Sequence, residues 1–204
     1  MNRCGLDEAG RGPLAGPVCA AAVILTDDFP VEVLNDSKKL SEKKREEARR
    51  LIYQNALAWG IGWASAAEID AINILKASLL AMERAFKTMS ESIVSSGVTL
   101  AVSEAIVDGL YVPRLPISCR AMVKADAVIP EVMAASILAK TARDRMMERY
   151  GWLYPEYGFE QHKGYPTKLH RERIIKFGPS PIQRMSFSIG PVQTLFDFDK
   201  GRKF

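Results

Sequence analysis

The chain has little of what thiol-based metal sites or a disulfide framework need. Its three cysteines, Cys4, Cys19 and Cys119, stand far apart with no Cys-x-x-Cys pair, which argues for reduced thiols in a cytoplasmic protein. Only two histidines occur, His162 and His170, and without cysteines at ligand spacing they offer no zinc site. Long apolar runs are missing too. Residues Val18 to Leu25 superficially resemble the core of a signal peptide, but they follow two acids and are too short to span a bilayer, so they read as a buried strand. There is no internal repeat and no low-complexity linker. Charge of one sign is also scarce, since 28 basic residues against 24 acidic ones leave a net +4. Partners must therefore be argued from where the charge sits.

What is present is concentrated near the start. Gly5-Leu6-Asp7-Glu8-Ala9-Gly10-Arg11-Gly12-Pro13 places two adjacent carboxylates at the end of an apolar strand, against a glycine-arginine-glycine turn. Carboxylate oxygens suit hard cations such as Mg²⁺ or Mn²⁺, and bare glycine N–H groups can approach a phosphate or a sugar hydroxyl. Neighbouring side chains on a regular strand point to opposite faces, so the strand is expected to twist or break just after Glu8. A turn with solvated acids is the plain alternative.

Short apolar runs at 2–8, 17–25, 57–64, 98–107 and 119–124 read as strands. Helices are expected from Ser41 as N-cap to about Asn55, from Ser65 to Met89, from Pro130 through Met146, and over 167–177. The mixture predicts one α/β domain over residues 1–150, with 151–204 as an appendage packed on it. Asp7, Asp108 and Asp126 each close an apolar strand. In an α/β sheet such strand ends meet in one crevice, where they could join Glu8 around two divalent ions. Taken singly, Asp108 before glycine could be a turn residue and Asp126 a helix cap.

Six ordered stretches carry a resemblance. They are Leu6 to Leu14, Asn35-Asp36-Ser37-Lys38-Lys39-Leu40-Ser41, Val107-Asp108-Gly109, Lys124-Ala125-Asp126-Ala127, Ala134 to Lys140 with Arg143-Asp144, and His162-Lys163-Gly164-Tyr165-Pro166-Thr167. The chain resembles the type 2 ribonucleases H, the ribonuclease HII family, from Gly5 to about Ser186. That likeness implies a ribonuclease H-like mixed sheet flanked by helices, with a helical C-terminal appendage. It implies an endonuclease that cuts the RNA of RNA/DNA hybrids and nicks 5′ of ribonucleotides embedded in duplex DNA, using two Mg²⁺ or Mn²⁺ ions and acting as a monomer. Asp7, Glu8, Asp108 and Asp126 fall on the family's metal-binding acids. Gly10, Arg11 and Gly12 fall on its junction-reading turn, where the ribose 2′-OH distinguishes RNA from DNA. Tyr165 matches an aromatic that stacks on the neighbouring deoxyribose, and Lys38 a phosphate contact. The family often has Gly before the last acid and a polar residue after Asp-Gly, where this chain has Ala125 and Leu110.

Other readings are weaker on the residues. A hybrid-binding module without catalysis would need cations rather than four converging acids. A dinucleotide-binding fold on Gly10-x-Gly12 would need a helix where Pro13 and Pro17 stand. Because the chain starts at the first catalytic strand, it is expected to lack the extra N-terminal domain of type 3 enzymes. Arg143 and Asp144 are expected to serve helix pairing and packing. The basic residues Lys163, Lys168, Arg171 and Arg173 near Tyr165 could track a nucleic-acid backbone.

Overall fold

A computed structural model describes residues 2–35, 40–97 and 100–190. Among them, five strands form one mixed sheet: β1 (Asn2–Ala9), β2 (Val18–Ile24), β3 (Ala58–Ala64), β4 (Val102–Asp108) and β5 (Ser118–Met122), in the order β3-β2-β1-β4-β5. β1, β2 and β3 pair antiparallel as a meander, whereas β4 and β5 join in parallel to β1. β2 is buried along its whole length, and its side chains divide by the period of two that a strand imposes. Val18, Ala20, Ala22 and Ile24 enter one core, while Ala21 and Val23 enter the other.

Those two cores are closed by helices on opposite faces. α1 (Glu42–Asn55) starts at Ser41, whose hydroxyl accepts the Lys44 N–H at 3.3 Å. It packs with α4 (Pro130–Leu153) on the Ala21 face, where Ala48 and Ile52 meet Ala134, Ile137 and Leu138. Pro130 sits in the first turn of α4, where no intrahelical donor is lost.

On the other face the spacing predicts one helix from Ser65 to Met89, but two occupy that stretch: α2 (Ala66–Ile72) and α3 (Ile74–Ser95). The break is Asn73, held at φ 70, whose side chain caps α3 by accepting the Lys76 N–H at 3.1 Å. Asn tolerates positive φ and caps well, so a local hydrogen bond interrupts the stripe without disturbing it. Ala77, Ala81, Met82, Ala85, Phe86 and Met89 still line the core.

β5 ends earlier than expected. It stops at Met122, Lys124 turns the chain at φ 62, and Asp126 lies in a short 3-10 turn over Ala125–Ala127. The expected strand at 98–107 is observed from Val102 to Asp108, with residues 98–99 outside the described residues. All three cysteines are free. Among the described residues no helix is long and apolar enough to cross a membrane.

After α4, the short helix α5 (Phe159–His162) and α6 (Lys168–Phe177) bring His162 and His170 into a stacked pair, ring centroids 4.4 Å apart, against Phe159. Each imidazole is held in one neutral form. His162 accepts the Gly164 N–H at Nδ1 and faces the Tyr157 carbonyl with Nε2, whereas His170 directs Nδ1 at the Tyr165 carbonyl and buries a partnerless Nε2. Protonation would break the first arrangement and strand an N–H in the second. Burial therefore lowers both pKa values, that of His170 to about 4, with repulsion from His162 adding to it. The unfolded chain takes up these protons near pH 6.5 and the folded chain only well below, so between those limits unfolding is favoured by falling pH. In thermal melts, the stability of the parent relative to His170→Gln should stay constant above about pH 6.5 and fall by on the order of 2 kcal/mol towards pH 4.

Candidate active site

Parallel pairing of β1 with β4 runs in register through Leu6↔Val107, so the next residues, Asp7 and Asp108, stand level on neighbouring strands. Asp7 is only 6% exposed. Its Oδ1 accepts the Glu8 N–H at 2.7 Å, and its carboxyl also bonds the Ser136 hydroxyl from α4. Burial first, then the charges of Glu8 and Asp108, push its pKa well above the usual carboxylate range. Glu8 is raised as well, by burial opposed by Arg11, whose guanidinium lies 3.3 Å away. As expected, the strand ends close to Glu8: its pairing with β2 runs one residue further, through Ala9↔Cys19, before Gly10 turns the chain at φ 101.

Asp108 closes β4. Its Oδ1 accepts the Ala125 N–H at 2.8 Å, and the Gly109 N–H reaches the Met122 carbonyl at 3.1 Å. The turn that carries Asp126 is thus bound directly to the Asp108 carboxylate. Asp126, 8% exposed, does not cap α4, whose N-cap is Ile129. Three acids, Asp7, Glu8 and Asp108, feel one another's charge, and Asp126 adjoins the residue that touches the third. Among the described residues no three His, Cys, Asp or Glu side chains form a ready-made ion cluster. The acids are electrostatic neighbours along a strand end rather than a closed cage.

Beside them lies the turn at residues 10–17, built on two arginines. Arg143 donates to the carbonyls of Pro17, Lys163 and Ala15 at 3.0, 3.0 and 3.3 Å. Arg184 donates to those of Gly10, Arg11 and Gly16 at 2.6, 3.0 and 2.9 Å. Both are fully buried. Burial lowers Arg184 to about 9, which leaves it charged at neutral pH. Gly10 and Gly12, two glycines of the turn, differ in what surrounds them. Gly10 is held at φ 101, and a Cβ there would overlap the Arg143 guanidinium, whereas a Cβ on Gly12 would meet only Tyr165, at 3.8 Å. Tyr165 is 41% exposed and lies over Arg143, 5.9 Å from guanidinium carbon to ring centroid.

The turn and Tyr165 are therefore together, next to the acids. Lys38 lies outside the described residues. Lys163 is engaged by Glu148 and the Glu160 carbonyl, both at 2.7 Å, while Lys168 is almost fully exposed. Asp144 pairs with Lys140 one helical turn away, as helix pairing predicts, but Arg143 grips a distant turn. Arg184 and Ser136 were not singled out by the residue pattern. Ser136 stands inside a recognisable stretch, whereas nothing periodic marks Arg184.

The sequence profile of the family described as Ribonuclease HII matches residues 4–189. The chain belongs to the ribonuclease HII family. Ribonuclease HII of Treponema denticola is 58% identical over 193 residues, covering 91% of this chain and 98% of that protein. That of Dechloromonas aromatica is 50% identical over 189 residues, covering 93% and 91%. Among solved structures, ribonuclease H2 from Pyrococcus horikoshii superposes with a TM-score of 0.68 at 25% identity, over 93% of this chain and 95% of that one. The ribonuclease HII in the PCNA complex from Archaeoglobus fulgidus superposes with 0.71 at 27%, over 97% and 100%. A ribonuclease HIII solved with Mn²⁺ shares the fold, with a TM-score of 0.70 at 17% identity over 93% of this chain and 68% of that one. As a ribonuclease HII, the chain is a divalent-metal-dependent endoribonuclease acting on the RNA of RNA/DNA hybrids.

The donor set fits such a metal. It offers hard oxygen ligands, and Asp7 and Glu8 are held against their tendency to ionise, which a nearby cation would relieve. The contrast between the glycines is testable by denaturant unfolding. Gly10→Ala should cost about 2 kcal/mol or more from positive φ and overlap, and Gly12→Ala should stay within about 0.5 kcal/mol of the parent.

Proposed function

We propose that this ribonuclease HII nicks on the 5′ side of ribonucleotides embedded in duplex DNA, leaving 5′-phosphate and 3′-hydroxyl ends, with Asp7, Glu8, Asp108 and Asp126 as its metal-binding catalytic acids. The observation that carries the reading is the level placement of Asp7 and Asp108 on parallel strands, with Glu8 adjoining, beside a turn that exposes Arg11 and Gly12. Two cations, Mg²⁺ or Mn²⁺, held by those acids would supply activation of the attacking water and stabilisation of the leaving oxygen.

The chain's own groups do the rest. Ser136 and the Glu8 N–H fix the Asp7 carboxylate in one orientation. Arg11 partly offsets the Glu8 charge at the edge of the site and is exposed enough to meet a phosphate. Gly10, Arg11 and Gly12 form the surface that reads the 2′-OH, a group that only RNA presents. Tyr165, half-exposed over that surface, offers a ring on which the adjoining sugar can pack. Lys38 is assigned a phosphate contact on family resemblance alone.

The deciding experiment is incubation with a duplex carrying a single ribonucleotide, with Mg²⁺, with Mn²⁺ and with neither, and mapping of the cut at nucleotide resolution. Cleavage 5′ of the ribonucleotide, dependent on the ion, is expected; cutting only within longer RNA tracts would refute the embedded-ribonucleotide reading. Asp7→Asn should abolish turnover while hybrid binding persists, and unchanged turnover would remove the acids from the mechanism. Tyr165→Ala should slow cutting at the single ribonucleotide by about tenfold, the scale of one lost stacking contact.

A further inference from the structure

The segment Ser180 to Phe187 lies across the turn at residues 10–17 and completes it. The Gly16 N–H reaches the Ile182 carbonyl at 2.8 Å, and Ala15 pairs with Gln183 as an isolated antiparallel bridge. The Arg184 N–H and Gln183 Nε2 both donate to the Leu14 carbonyl, at 2.9 and 3.0 Å. Asp70 on α2 anchors the far end by accepting the Met185 and Ser186 N–H groups at 2.9 Å. From this anchored segment the Arg184 side chain enters the fold.

Two of its three acceptors belong to consecutive peptides. The Gly10 and Arg11 carbonyls are bound at Nη2 and Nη1. In a trans peptide the N–H points opposite to the carbonyl, and no peptide among the described residues is cis. Gripping those two carbonyls therefore aims the N–H groups of Arg11 and Gly12 the other way. Among the described residues neither N–H meets an acceptor. An aligned pair of unfilled donors is a receptor for an oxygen such as a sugar hydroxyl.

We infer that Arg184 is a positioning residue for substrate selection: by binding the Gly10 and Arg11 carbonyls from the buried side, it presents the Arg11 and Gly12 N–H groups to the ribose 2′-OH. The inference rests on the proposed reading of this turn. Arg143 shares the task by holding the Ala15 and Pro17 carbonyls and by underlying Tyr165. A lysine at 184 would keep the charge but could not span two carbonyls with the fixed fork of a guanidinium.

The test uses the full chain, in Mg²⁺, cutting a duplex with one ribonucleotide while the same-sequence all-DNA duplex competes. The ratio of the competitor's Ki to the substrate's KM reads recognition of the 2′-OH, which a merely structural role would leave unmoved in folded protein. Arg184→Met should lower that ratio about tenfold, the effect of losing roughly one hydrogen bond's worth of recognition, by raising KM with Ki unchanged. Arg184→Lys should fall between. An unchanged ratio in Arg184→Met overturns the inference, and if that variant does not fold, an unchanged ratio in Arg184→Lys does so. Gly12→Ala, which fills the outer surface of the turn, separates the two levels. Loss of selectivity in Gly12→Ala but not in the Arg184 variants defeats the positioning role alone. A wild-type ratio near one, or an unchanged ratio in Gly12→Ala, defeats the reading of the turn and the inference with it.

Discussion

Parallel alignment of β1 with β4 is the constraint from which the site follows. An antiparallel partner would carry its C-terminal acid to the opposite edge of the sheet. Because β4 and then β5 run in the same direction as β1, Asp7, Asp108 and the turn holding Asp126 all emerge at one end. The cost is electrostatic. Burial raises the pKa values of Asp7 and Glu8, and the repulsion between carboxylates brought together adds to it. Two helical layers closing the cores on either face of β2 supply the packing that holds the acids there.

The handling of positive charge complements this. Two guanidinium groups are buried within the same region, yet both direct their donors to main-chain carbonyls rather than to the acids. Had either entered a salt bridge with Asp7 or Glu8, it would have neutralised an acid proposed to hold a cation. Arg11, half exposed, pairs with Glu8 instead. Carbonyl dipoles thus satisfy the buried arginines and leave the Asp7 and Glu8 carboxylates unneutralised by them.

Much of this was legible in the residues. The strands, the Ser41 and Ser65 caps and the Pro130 helix start are local signals, and the structure has them where the spacing predicts. Among the proposed acids, Asp7, Asp108 and Asp126 stood out in sequence because each closes an apolar run. What escaped was set by single side chains acting on their own backbone or across the chain. Asn73 splits a continuous apolar stripe through one cap, and Lys124 ends β5 early through one positive φ. Arg143, read as serving helix pairing and packing, is indeed buried, but its guanidinium turns to a loop more than a hundred positions away rather than along its helix. Arg184 has no periodic context, and its role exists only once the segment around it crosses the turn. Gly10 and Gly12 looked equivalent in sequence, but a Cβ on the first would strike Arg143 whereas one on the second would meet Tyr165 at an ordinary contact distance.

That crossing has a bearing on synthesis. A nascent chain acquires its first acids within the opening ten residues and the last at position 126, but the guanidinium that orders the turn arrives only at 184. Until that late stretch is in place, the Gly10, Arg11 and Gly16 carbonyls lack the guanidinium that binds them. A polypeptide cut short before Arg184 would hold every proposed acid and still leave the turn incomplete.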